Sequence, residues 1–110
     1  MLFRSDAILD VPGISGIYVG PSDLGLSLGL VPKLDREEPQ ILAIYDKLLA
    51  AIKKRNLFAG IHNGTATYAA RAVGMGFQFN TIANDSGLMA MAARNAVNAF
   101  RKEAGAIAEK

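Results

Sequence analysis

The chain contains no cysteine. A disulfide framework and thiolate chemistry are both excluded, as expected of a cytoplasmic protein. No run approaches the ~20 apolar residues of a membrane-spanning helix, and Met1-Leu2-Phe3-Arg4-Ser5 does not read as a signal peptide, so no membrane partner is expected. Charge of one sign is not in excess either: 12 basic and 10 acidic residues are interspersed, for a net charge of +2. The one dense basic cluster, Lys53-Lys54-Arg55, stands where a helix C-terminus favours cations, so nucleic acid is not an expected partner. What is present is a globular composition, 51% hydrophobic and 20% charged over 110 residues. That is enough for one small core.

The rest of the chain is organised around the stretch that follows Gly16. Ile17-Tyr18-Val19 is a short, continuous apolar run between Gly16 and Gly20-Pro21, the pattern of a buried parallel strand. Ser22 and Asp23 come next, at the C-terminal strand end where α/β folds place their ligands. Gly20 lets the backbone come close to a ligand and Pro21 fixes φ, so the Ser22 and Asp23 amides are expected to face the mouth. An oxyanion can accept from such amides while the Asp23 carboxylate reaches a cation. On residue type alone, Asp23 has a second reading as a cap for the following turn.

Taken in order, residues 6–9 are expected to end a helix, closed by Val11-Pro12-Gly13. A strand at 14–19, a helical turn at 22–28 and a polar connection at 29–38 follow. Pro39 suits the first position of a helix, in which Ile41, Ile44, Tyr45, Leu48 and Ile52 make one apolar stripe. Lys53-Lys54-Arg55-Asn56 is its stop signal. The second strand is expected at 57–61, ending at His62-Asn63-Gly64. Thr65 caps a helix that runs to Val73, with Gly74 as left-handed terminator. The third strand is expected at 77–82. Asp85 caps the last helix, with Met89, Ala92, Ala93, Ala96, Val97 and Phe100 as its buried face. The tail, 101–110, is expected to fray unless it packs on a neighbour. Three strand–helix alternations imply an α/β fold with parallel strands and right-handed crossovers.

Residues 17–29 read Ile-Tyr-Val-Gly-Pro-Ser-Asp-Leu-Gly-Leu-Ser-Leu-Gly. This resembles the signature of the HpcH/HpaI aldolases, the metal-dependent (class II) aldolases of 2-keto-3-deoxy acids. Ile8-Leu9-Asp10-Val11-Pro12-Gly13-Ile14 resembles the family's lead-in to the same strand. The resemblance covers residues 6–101, and Gly20-Pro21-Ser22-Asp23-Leu24 is its specific part. It implies the C-terminal three βα units of a (β/α)8 TIM barrel, an incomplete barrel, since a complete one needs ~250 residues. Residues 1–110 then make one partial domain. Leu2-Phe3-Arg4-Ser5 does not match the family and is what a widely used sequencing-adapter end would encode, so residues 1–5 are expected to be foreign; the other reading is an ordinary divergent N-terminus.

The resemblance also implies roles. Asp23 would be one of two carboxylates holding a divalent cation, Mg2+ or Mn2+. Ser22 would offer its backbone amide to the carboxylate of a keto acid, with Gly20 and Pro21 shaping the approach. The second carboxylate, an Arg and a His base belong to the family's N-terminal half, so no catalytic residue is expected here and this stretch alone is not expected to be active. His62, the only histidine, is a secondary candidate for the distal end of a substrate or a neighbouring subunit. Its other reading is a loop histidine bonded locally. Asn84 is a secondary candidate for lining the mouth. The helix starts at 63–65 and 84–87 read mainly as caps, though helix amides can also bind an anion. In the family the last helix is exchanged between subunits of a hexamer, which implies a homo-oligomer. The function implied is a carbon–carbon lyase that cleaves a 4-hydroxy-2-oxo acid to pyruvate and an aldehyde through a metal-stabilised enolate. The alternatives are a citrate-lyase-β-like lyase of acyl-CoA substrates and a non-catalytic half-barrel that serves as an assembly module.

Overall fold

The computed structural model describes residues 4–108. Residues 1–3 of the segment expected to be foreign lie outside the described residues, while Ser5 opens helix α1 (Ser5–Leu9). Strand β1 (Gly16–Val19), helices α2 (Pro21–Ser27) and α3 (Pro39–Lys54), strand β2 (Phe58–His62), helix α4 (Ala66–Met75), strand β3 (Phe79–Thr81) and helix α5 (Asp85–Ala108) follow. The strands form one parallel sheet in the order β1-β2-β3, with Tyr18 beside Gly60 and His62 beside Thr81. Both β1 and β3 are sheet edges.

Alternation along the strands separates two faces. Val19, Ala59 and Ile61 point into the core with Leu9, Ile41, Tyr45, Ile52, Ala72 and Phe77. The other face carries Tyr18, Phe58 and Phe79, which are 47%, 63% and 63% exposed. Among the described residues nothing covers that aromatic face.

Several expectations shift. The second strand runs one residue further than expected, so His62 lies inside β2 rather than just beyond it. The third strand is only Phe79–Thr81. Phe77 leaves the sheet to pack edge-on against Tyr45, ring centroids 5.6 Å apart, and Gln78 takes up the pairing by donating its amide to the Ala59 carbonyl (2.8 Å). The left-handed terminator of α4 is Gly76, φ +115°, not Gly74. The amides of Gly76 and Phe77 both return to the Ala72 carbonyl (3.2 and 3.0 Å), a bonding pattern that needs the αL residue at 76. By contrast the stop at the end of α3 is where the charge cluster puts it, closed by Asn56 at φ +54°.

The last helix departs furthest from expectation. Its expected buried face is not buried: no residue of α5 is, with Met89 at 71% and Phe100 at 72% exposure. The apolar stripe is real, but the described residues bury none of it. The helix also continues unfrayed to Ala108, because the Ala, Lys and Glu that follow Phe100 are strong helix formers. With α5 extended, the molecule measures 69 × 27 × 21 Å. Among the described residues no helix is long and apolar enough to cross a membrane.

Candidate functional site

At the C-terminal end of β1 the chain turns straight into α2. Gly20 is the N-cap, and Pro21 occupies the first turn, where its missing N–H costs nothing. The first backbone bond of the helix runs from the Leu24 amide to the Gly20 carbonyl (2.9 Å). The amides of Ser22 and Asp23 therefore precede the helical ladder and have no intrahelical acceptor. Pro21 is buried, Ser22 half-buried and Asp23 exposed.

No hydrogen bond or ion pair to the Asp23 carboxylate is found among the described residues, so the cap reading is not realised. Its Oδ2 lies over the Cα of Gly20, where a Cβ would stand only 2.8 Å from it. A side chain at position 20 would thus crowd the carboxylate. Asp23 also lines a cleft of about 800 Å³ beside the free edge of β1, together with Tyr18, Leu24, Tyr45 and Leu48. The Tyr45 hydroxyl is buried with no hydrogen-bond partner among the described residues, and burial pushes its pKa up.

The residues present fit a divalent cation as one ligand of a set. Asp23 offers an unencumbered hard oxygen, as such a cation requires. No group of three or more His, Cys, Asp or Glu that could hold a metal occurs among the described residues.

The secondary candidates are bonded locally. Nδ1 of His62 lies 2.9 Å from the Tyr18 hydroxyl and 3.0 Å from that of Thr81. Asn84, not Asp85, caps α5: its Oδ1 accepts from the Gly87 amide (2.7 Å) and the Ser86 hydroxyl (3.3 Å). Thr65 caps α4 as expected, accepting from the Tyr68 amide (3.2 Å). The start of α4 is also taken up by Asp35, which accepts from the Gly64 amide (2.8 Å) and the Thr65 hydroxyl (2.6 Å). An internal carboxylate occupies the place where an anion would bind.

Asp35 belongs to the connection between α2 and α3, which sequence reasoning passed over as merely polar. Next to it, Arg36 is fully buried. Its Nε donates to the Pro21 carbonyl (2.9 Å), Nη2 to the Val31 carbonyl (2.6 Å) and Nη1 to Glu38 (2.8 Å). The only trace of this in the sequence is a glycine inside α2, Gly25, whose Cα faces the guanidinium.

No protein-family model matches the chain. Individual relatives do. It is 34% identical over 96 residues to a hydroxypyruvate/pyruvate aldolase of Rhizorhabdus wittichii, covering 87% of this chain and 38% of the relative. It is 28% identical over 100 residues to a 4-hydroxy-2-oxo-heptane-1,7-dioate aldolase of Escherichia coli, covering 91% of this chain and 37% of the relative. The crystal structure of an HpcH/HpaI aldolase/citrate lyase family protein from Burkholderia cenocepacia superposes with a TM-score of 0.82 at 27% identity, over 91% of this chain and 38% of that one.

Its homologues are aldolases by name, and its structural neighbours are HpcH/HpaI aldolase family proteins. Its three-stranded parallel sheet matches part of the fold of these aldolases. The chain spans about two fifths of the length of the relatives it matches, 38% of the first and 37% of the second.

Proposed function

We propose that the chain is the C-terminal three βα units of a (β/α)8 barrel, and that the whole barrel is a metal-dependent aldolase. It would cleave a 4-hydroxy-2-oxo acid to pyruvate and an aldehyde. The observation that carries this reading is the pairing of a free carboxylate, Asp23, with the two acceptorless amides of Ser22 and Asp23 at the head of α2. The names of the relatives, all aldolases of pyruvate or of a 2-oxo acid, give that pairing its chemistry.

Asp23 would supply one oxygen ligand to Mg2+ or Mn2+. A cation held there would polarise the ketone and carboxylate oxygens of the keto acid and favour the enolate form. The Ser22 amide would donate to the keto-acid carboxylate, a charge-assisted hydrogen bond. Gly20 leaves room beside the Asp23 carboxylate, and Pro21 fixes the direction in which the two amides emerge. His62 and Asn84 get no role, because their side chains are taken up by Tyr18, Thr81 and the cap of α5.

The barrel would work as a homo-oligomer, with the uncovered stripe of α5 packed on a second subunit. This is supported by a helix of 24 residues with none buried.

The test is an aldol-cleavage assay on a complete barrel that carries this chain, with the N-terminal units supplied by the Rhizorhabdus wittichii relative. Cleavage of 4-hydroxy-2-oxo acids that stops on chelation and returns with Mg2+ or Mn2+ supports the proposal. Cleavage that is indifferent to chelator opposes it.

A further inference from the structure

We propose that Arg36 is a positioning residue for Asp23, acting by fixing how far α2 is rotated about its axis. The proposal rests on Asp23 being the cation ligand put forward above.

The argument starts from the shortness of α2. It has seven residues and no side-chain hydrogen bond at its N-cap, so its rotation is set by what packs against it: the core under Leu24 and whatever meets the side that carries Pro21 and Gly25. Pro21 and Gly25 are four residues apart and share one side of the helix. Asp23, two residues from each, is about 200° round, on the opposite side. Burial follows this geometry: Pro21 and Gly25 are buried and Asp23 is exposed.

What the buried side meets is Arg36. Its guanidinium donates to the Pro21 carbonyl at one end of that side. At the other it lies so close to Gly25 that a Cβ there would stand 1.7 Å from Nη2. The bonds to Val31 and Glu38 hold the guanidinium from behind, as a buried charge requires. The backbone of Arg36 is itself tied to α4, because the Tyr68 hydroxyl donates to its carbonyl. Asp35 adds bonds to Gly64 and Thr65. A rigid planar fork anchored to α4 therefore grips one side of α2, and the opposite side can point in only one direction.

The test uses Mn2+ as a paramagnetic probe and a 15N-labelled complete barrel that carries this chain, so that the rest of the ligand set is present. Wild type should show selective broadening of the Ser22, Asp23 and Leu24 amides, and Asp23→Asn should lose it. Arg36→Lys keeps the charge but not the fork, and Gly25→Ala disturbs the same contact from α2 with no change of charge. Each should need roughly ten- to a hundredfold more Mn2+ for equal broadening, the usual effect of losing a group that orients a metal ligand. The dispersed signals of core amides should persist. A purely structural role would lower the melting temperature but leave the titration of the folded chain unchanged. If neither variant keeps the core dispersion, Glu38→Gln, which removes only the ionic partner of Arg36, is read in the same way. Wild-type titrations in folded variants would overturn the positioning role while leaving Asp23 as ligand. Absence of selective broadening in wild type would overturn the cation reading, and this proposal with it.

Discussion

The hydroxyl of Tyr18, on β1, lies 2.9 Å from Nδ1 of His62, on β2. Thr81 on β3 closes the triangle, 3.2 Å from the Tyr18 hydroxyl and 3.0 Å from Nδ1. One polar knot thus ties all three strands on the exposed aromatic face. Tyr18→Phe removes the phenol and leaves the ring. We expect a loss of about 0.5–1.5 kcal/mol, the ordinary worth of an intramolecular hydrogen bond, and altered 15N shifts of the His62 ring. Unchanged ring shifts would mean that the knot does not hold the imidazole.

Arg55, after the end of α3, grips Asp10 through Nε (2.7 Å) and Nη2 (3.2 Å) and reaches Asp6 at 3.0 Å. The hydrogen bond from Arg55 holds the Asp10 carboxyl below its ordinary value of 3.8. A carboxylate with a lowered folded-state pKa stabilises the fold above the unfolded value, and that stability is lost as pH falls through the folded one. Asp10→Asn should therefore lower the melting temperature near pH ~6, with the gap to wild type closing by pH ~2. Melts across that range check the sign. A gap that widened in acid would contradict it.

Ser22 acts through its backbone in this account. In a complete barrel Ser22→Ala should be nearly silent, while Ser22→Pro, which deletes the N–H, should weaken pyruvate binding by ~1.5–3 kcal/mol. Binding at saturating metal, with circular dichroism to confirm folding, separates the two variants. A large loss in Ser22→Ala would make the hydroxyl the ligand.

The α5 stripe and the two sheet edges predict association. Val97 and Phe100 are 47% and 72% exposed. Sedimentation should show a mass that rises with concentration, and Val97→Glu with Phe100→Glu should lower it without loss of helix signal, since neither side chain is buried within the chain. A wild-type monomer at every concentration would contradict this.

Much of the fold was legible because local rules set it. The βα alternation, the Thr65 cap and the stop at Lys53-Lys54-Arg55-Asn56 depend on residues close in sequence. Strand three was overextended because Phe77 has the composition of a strand residue but packs on Tyr45, a contact between residues distant in sequence. The buried face of α5 failed for a related reason: a periodic apolar stripe states that something covers a helix, not that this chain does. The Gly20–Asp23 turn was readable because a strand end, a glycine and a proline fix it locally. Arg36 was not, since a charge in a run of charges reads as solvated, and only the fold shows that it is buried against Gly25.

The most direct test is turnover of Asp23→Asn in a complete barrel that carries this chain, across a Mg2+ titration. Asparagine keeps the size of the side chain and removes the charge. The account predicts an intact fold, weaker metal affinity and at least ~100-fold lower turnover, since a cation in this role supplies several kcal/mol. Wild-type turnover at limiting Mg2+ would contradict it and remove Asp23 from the site.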